Sequence, residues 1–380
     1  MTSTILRVLP TQLVIASEEE KERNMNPIRV GIIGLSTGGG WAAMAHLPYL
    51  QKSTKYNITG VCNSSSEKGK EAIDQYGLKS AKAFDNIKSM CASQEIDLVV
   101  CAVAVFSHYE LIKPVIEAGK DVYVEWPLCA TTEQAEEIQQ LAQSKGETPL
   151  VTQIFGSACT GETGTRLVER YRYFKDRAIE GASGQVMLSI YVGHTFEPLT
   201  RLMGQPSQVS AQLMTTWPEV NIITPDNMIL ESGIEKTADD YVTLQGTLTS
   251  GVKYLYSMRG GDAFDEGEGL VWDIIGDKGQ IRLTGSSIML NLGAPDYKIR
   301  VKDYKSGRIE VAKLHDSLDL PLAAQNIGSL YEKFADGKVV PTFEDAVRRH
   351  HFLDAMFLSA SKGGHSREGY RPLNWDITTK

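Results

Sequence analysis

The stretch Ile28–Leu50, IRVGIIGLSTGGGWAAMAHLPYL, decides the fold. Ile28 to Ile33 is a short apolar run rich in β-branched residues, as a buried parallel strand requires. Gly34 follows at once, then a Ser-Thr-Gly-Gly-Gly turn. From Trp41 onward, Trp41, Met44, Ala45, Leu47 and Tyr49 are spaced to suit a helix. Strand, glycine turn and helix, in that order, can seat a pyrophosphate. Glycines let the backbone come close, and the helix N-terminus offers unpaired N–H groups and the positive end of its dipole. Gly34, Leu35, Ser36, Gly39, Gly40 and Trp41 are therefore candidate cofactor contacts. Ser36 stands where the second glycine of a GxGxxG motif usually falls. On this stretch alone, the alternative is a strand-turn-helix whose glycines serve only packing.

Outward from that stretch, strand and helix signals alternate. Tyr56–Cys62 reads as a second buried strand, ending in Asn63-Ser64-Ser65-Ser66-Glu67-Lys68. In a dinucleotide fold this strand end meets the adenosine ribose, where an acid would favour NAD. None is there. Asn63, Ser64, Ser65 and Lys68 could instead surround a 2′-phosphate, which favours NADP over NAD; Ser65 or Ser66 could equally be a plain helix N-cap. Helices at Glu67–Tyr76 and Ile87–Ser93, strands at Ala83-Phe84 and Ile96–Val105, a helix from His108 to Ala118, a strand at Asp121–Val124, a helix at Thr132–Lys145 and a strand at Pro149–Phe155 complete the pattern. Such alternation indicates a doubly wound parallel sheet.

From Gly156 the character changes. A helix is expected over Thr165–Ile179. Strands are then expected at Val186–Val192, Val209–Met214, Tyr241–Leu248, Gly251–Arg259, Leu270–Gly276, Gly279–Leu283 and Ser287–Asn291, with glycine turns at Gly251 and Asp277-Lys278-Gly279. Two helices, Leu322–Ala335 and Phe343–Ser361, end the pattern. The expected organisation is a loosely held tail over 1–26, with Met25 an alternative start. A Rossmann domain follows over 27–155, then an α+β domain over 156–380 with a large, mainly antiparallel sheet that carries the substrate and dimerises.

The chain has 380 residues and a formal net charge of −8, with 42% hydrophobic and 23% charged residues. That suits a two-domain globular protein and gives no electrostatic basis for direct nucleic-acid binding. Five scattered cysteines fit free thiols in a reducing compartment, and no metal-ligand spacing occurs. No apolar run is long enough to span a membrane. A cytoplasmic protein is expected.

Several landmarks now share one register: VGIIGLSTGGGWAAMAHLPYL, VAVFSHYELIKPVIEAGKDVYVEWPL, DDYVTLQGTL, SMRGG, GDKGQIRLTG and FEDAVRRHHFLDAMFLSA. In their order and separation the chain resembles the Gfo/Idh/MocA oxidoreductases, and within them the Gal80-like branch of fungi. The resemblance implies that Val103-Ala104 line the cofactor, that His108 matches a common family histidine, and that Glu125-Trp126-Pro127 stands for the family's Glu-Lys-Pro. Glu125 would hold the nicotinamide ribose. The lysine that helps position or protonate a substrate oxygen is replaced by Trp126, whose indole N–H cannot serve as a general acid near neutral pH. His194 matches the histidine turned toward the nicotinamide, while the acid four residues earlier is replaced by Ile190.

The expected activity is NAD(P)-dependent oxidation or reduction of a sugar-like or secondary-metabolite carbonyl or alcohol. His194 would be the proton donor, Tyr191 its support, and the protein a homodimer. The alternative is a non-catalytic dinucleotide-binding transcriptional regulator with a protein partner. His46 is read as packing against the Pro48 turn, and His350-His351 as packing and surface.

Overall fold

The structure is a computed structural model. It describes residues 26–144, 150–151, 162–163, 166–168, 187–224, 226–236, 238–261, 269–288, 290, 296–312 and 318–363. The expected tail, but for residue 26, and all of the expected strand Pro149–Phe155 except residues 150–151 lie outside them.

The first half follows the alternation read from the sequence. Strand β1 (Ile28–Ile33) leads through the glycine turn into a π-helical turn (Ala42–His46) and helix α1 (Leu47–Lys52). Then come β2 (Tyr56–Cys62), α2 (Ser66–Gln75), β3 (Lys82–Phe84), α3 (Ile87–Ala92), β4 (Leu98–Cys101), α4 (His108–Glu117), β5 (Asp121–Val124), α5 (Thr132–Ser144) and β6 (Leu150–Val151). The strands form one parallel sheet in the order β3-β2-β1-β4-β5-β6. The order reverses between β1 and β4, so a crevice opens at the carboxyl ends of those strands. Val30, Ile32, Leu98, Val99 and Val100 are fully buried, as central strands covered on both faces must be.

The second half differs from the expectation in several places, including strands at Glu219–Ile223, Ile229–Glu235, Lys298–Asp303 and Ile309–Val311 that the sequence does not predict. Val186–Val192 is not a strand: helix α6 (Met187–Met203) begins there. The run VMLSIYV is apolar and β-branched, but Ile190, Val192, Phe196 and Leu199 are buried alongside Ser189, His194 and Thr195. A helix buried all round shows no face, so periodicity does not separate it from a buried strand. Within the expected helix Thr165–Ile179, residues 166–168 form strand β8 (Arg166–Val168), which follows β7 (Glu162–Thr163); the rest lies outside the described residues. Ser287–Asn291 is not a strand at its described positions. The single large sheet resolves into three among the described residues.

Those sheets use β9 (Pro206–Met214), β10 (Glu219–Ile223), β11 (Ile229–Glu235), β12 (Tyr241–Leu248), β13 (Lys253–Arg259), β14 (Leu270–Ile275), β15 (Gly279–Gly285), β16 (Lys298–Asp303) and β17 (Ile309–Val311). Their orders are β11-β10-β8-β7, β13-β12-β9 and β14-β15-β16-β17, antiparallel except for β10 with β8. Gly251, at φ 85°, turns β12 into β13 as its sequence position suggested.

Helices α7 (Leu322–Ala335) and α8 (Phe343–Ser361) have the bounds the sequence predicts. Helix α8 starts with a Thr342–Asp345 capping box. It packs against β9, where Ser359 Oγ accepts the Ala211 N–H at 3.0 Å. Helix α7 returns to the Rossmann half. Ile327 and Tyr331 join the core of β1 and α1, and Tyr331 stacks on Tyr49 with centroids 5.4 Å apart.

Candidate dinucleotide site

The glycine turn after β1 is built for close approach. Gly34 has φ 90°, and a Cβ there would sit 2.5 Å from Val103 Cγ1 and 2.9 Å from the Ala102 carbonyl, so no other residue fits. Gly39 and Gly40 also have positive φ, with open space where a Cβ would stand. Ser36 Oγ accepts the Gly38 N–H at 3.1 Å and keeps its own proton to donate. Leu35 is buried beneath the turn. Asn63 donates to the Leu35 carbonyl at 2.7 Å and to the Lys68 carbonyl at 3.2 Å, tying the end of β2 to the turn. Ser65 caps α2, accepting the Lys68 N–H, while Ser64 and Lys68 are exposed beside it. The turn opens on solvent, and the end of β2 presents hydroxyls and an ammonium group. Both suit a phosphate-bearing ligand.

At the ends of β4 and β5 the site is drier. Ala104 leads into a short 3₁₀ turn, Val105–Ser107. His108 then heads α4, fully buried. Its Nδ1 lies 2.9 Å from the Pro127 carbonyl and 3.2 Å from that of Leu128, and its Nε2 lies 3.0 Å from that of Val103. Burial pushes its pKa down against the pull of those three carbonyls. His108 thus staples the two strand ends together.

Glu125 ends β5 and is 5% exposed. Burial pushes its carboxyl pKa up, opposed by His46 and by the Trp41 indole. Oε1 lies 2.7 Å from His46 Nε2. Oε2 and Trp41 Nε1 are both buried and neither completes a hydrogen bond of full geometry, although the indole is close enough to Glu125 to hold its pKa down. A buried acceptor and donor with spare hydrogen-bonding capacity suit the hydroxyls of a nucleotide sugar.

Trp126 follows a residue later, before a cis peptide bond to Pro127, and turns the other way. It is 4% exposed, and its indole N–H donates to the Ser189 carbonyl on α6 at 3.2 Å. Its ring lies against Gly193, where a Cβ would come within 2.5 Å of Nε1. The His350 ring is 5.0 Å away and the His194 ring 6.5 Å away. Burial pushes both histidine pKa values down to about 3, so both imidazoles are neutral at pH 7. Tyr191 lies three residues before His194 on α6, half-buried, with its carbonyl accepting from Thr195.

The fold therefore gathers the turn, Asn63, Trp41 and Glu125 around the crevice, and gathers Trp126, His194 and His350 between the domains. The sequence reading did not find the partners of Glu125. His46, read as packing, reaches Glu125 and Tyr331, which are 79 and 285 residues away. The available signal was a histidine on an otherwise apolar helix.

Comparison with known proteins places this geometry. The model described as "Oxidoreductase family, NAD-binding Rossmann fold" (Gfo/Idh/MocA) matches residues 28–153, and the Gal80p C-terminal domain model matches residues 146–285. The galactose/lactose metabolism regulatory protein GAL80 of Saccharomyces cerevisiae is 29% identical over 70% of this chain and 68% of its own length. The dehydrogenase aclE of Aspergillus oryzae is 26% identical over 88% of this chain and 97% of its own. The crystal structure of a super-repressor mutant of S. cerevisiae Gal80p superposes with a TM-score of 0.79, at 24% identity, over 90% of this chain and 97% of that one. The two models lie side by side on one Rossmann-plus-antiparallel architecture: a Rossmann domain of the Gfo/Idh/MocA oxidoreductase family followed by a Gal80-type C-terminal domain, with regulators of the Gal80 type and dehydrogenases both among the relatives.

Proposed function

We propose that this chain is an NAD(P)-dependent oxidoreductase acting on a carbonyl or alcohol of a sugar-like or secondary-metabolite substrate. The observation that carries the reading is the crevice itself: an open glycine cradle at one end and a Glu125 oxygen with spare hydrogen-bonding capacity at the other, each suited to one half of a dinucleotide. The match to a dehydrogenase over 97% of that enzyme's length supports it.

A bound nicotinamide supplies hydride chemistry. The turn from Gly34 to Trp41 holds the phosphates, Asn63, Ser64, Ser65 and Lys68 frame the adenosine side, and Glu125 orients the other ribose. The absence of an acid at the end of β2 favours NADP. Trp126 cannot donate a proton, so polarisation of the substrate oxygen falls to His194, with Tyr191 beside it. A neutral imidazole acts there through its N–H, as a hydrogen-bond donor to a developing alkoxide. NADPH oxidation that depends on a carbonyl substrate, and falls in His194→Ala, is the expected result. No turnover across a broad carbonyl panel, with cofactor still bound, would overturn it.

One observation favours a second reading. Trp126 fills the family lysine's position with packing, which suits a Gal80-like regulator that binds the dinucleotide and a protein partner without turnover. The free thiols of Cys62, Cys91, Cys101 and Cys129 suit a cytoplasmic location in either case. Among the described residues no helix is long and apolar enough to cross a membrane. The Rossmann unit is assigned to 27–155 and the second domain to 156–380, with α7 of the latter packed into the Rossmann core.

A homodimer is supported by one face of the β14–β17 sheet. There Trp272, Ile274, Ile281, Leu283, Ile299 and Val301 share a side, and none is fully buried in a single chain. Light scattering should give a dimer, and Ile281→Glu a monomer; a monomeric parent protein would refute it.

A further inference from the structure

His46 and Tyr331 have no part in the function proposed above, yet they stand in line with Glu125. His46 is fully buried, its ring edge-on to Tyr123 at 4.8 Å. The Tyr331 hydroxyl is 2.8 Å from Nδ1. A phenol hydroxyl that donates to Nδ1 fixes the tautomer with its proton on Nε2, and that N–H then donates to Glu125 Oε1. The three groups form one buried hydrogen-bonded line, and its far end is held from behind. Tyr331 is stacked on Tyr49, and its own carbonyl accepts the Tyr56 hydroxyl at 2.7 Å. On α7, Glu332 next to it accepts from Tyr49 at 2.6 Å and from Lys55 at 2.7 Å.

The consequence falls on Oε2. With Oε1 committed to His46 and the Trp41 indole beside the carboxyl, Glu125 cannot rotate without breaking a buried hydrogen bond, so Oε2, which completes no hydrogen bond of full geometry, keeps one direction. We propose that His46 and Tyr331 are positioning residues for the cofactor: their hydrogen-bonded line fixes Glu125 so that Oε2 receives a hydroxyl of the nicotinamide-side ribose. Tyr331 comes from α7, far along the chain, so the C-terminal part of the protein completes the Rossmann site from behind. The inference rests on dinucleotide binding as proposed above.

The test is calorimetric titration of the full chain and its variants with NADPH, NADH and, as a probe of the adenosine half alone, ADP. Tyr331→Phe keeps the ring and its stack and removes only the hydroxyl; His46→Ala removes the line. Expected in both is about tenfold weaker binding of the dinucleotides, one lost hydrogen bond's worth, with ADP affinity held within about twofold. Nitrogen NMR should show a proton on His46 Nε2 in the parent protein and mixed tautomers in Tyr331→Phe. If His46→Ala does not fold, Tyr331→Phe carries the test. Dinucleotide affinity unchanged in Tyr331→Phe, or ADP affinity falling in parallel, overturns the positioning role while leaving dinucleotide binding intact. A parent protein that binds neither dinucleotide overturns the reading beneath it, and the inference with it.

Discussion

Glu125 faces the Rossmann crevice, and Trp126, the next residue, faces the second domain. The first is surrounded by polar groups and keeps an oxygen with spare hydrogen-bonding capacity; the second is packed on a helix with its only polar atom already bonded. Side chains alternate at a strand end, so one step along the backbone moves from the proposed dinucleotide site to an interdomain core. The comparison teaches that neighbouring side chains on this fold can serve separate ends: Trp126 packs the domains together without contacting the polar line at Glu125.

The largest test of that contrast is steric. Gly193→Ala would put a Cβ 2.5 Å from Trp126 Nε1 and 2.7 Å from Cε2 and Cζ2. Neither a helix backbone nor a buried indole yields easily, so a loss of about 2–3 kcal/mol is expected in urea unfolding. An unchanged midpoint would mean that the ring is not seated on α6.

The two sides also titrate with opposite sign. His350, with its folded pKa lowered to about 3, leaves the unfolded chain holding more protons between that value and 6.5. Its stabilisation is full above pH 6.5 and is lost as pH falls, by about 2 kcal/mol between pH 6.5 and pH 5. Glu125 has a raised folded pKa, so its contribution is lost as pH rises above the ordinary carboxylate value. Unfolding measured from pH 5 to pH 7 should therefore flatten in His350→Asn and steepen in Glu125→Gln. Equal slopes in parent and variants would remove the contrast.

The smallest effect lies at the adenosine end. Ser65→Ala loses the α2 cap and should cost about 1 kcal/mol. If Ser65 also meets a 2′-phosphate, the ratio of NADPH to NADH affinity falls with it; an unchanged ratio reduces Ser65 to a cap.

How much of this could be read from the chain depended on the range of the signal. The Rossmann half was legible because its strands are continuous apolar runs separated by caps and glycines. Helices α7 and α8 were legible in the sequence with the bounds the structure gives them. Helix α6 was not, because a helix with no exposed face looks like a buried strand. Strands β11 and β17 were missed because they are exposed along almost their whole length and lack the alternation of a half-buried strand. In the site, the glycine turn was visible as a local motif, and Glu125 only through the family resemblance. The line from Tyr331 through His46 was not, since it exists only once α7 folds back across the molecule. His194 was visible as a residue type, but its neutrality comes from burial against Trp126, which no local pattern carries.

Direct titration of the intact protein and of Glu125→Ala with NADPH and NADH, followed by calorimetry, tests the central claim most directly. Binding of at least one dinucleotide to the parent protein, weakened about tenfold or more in Glu125→Ala, is the predicted result. A parent protein with no affinity for either cofactor, or a Glu125→Ala variant that binds as well as the parent, would contradict it.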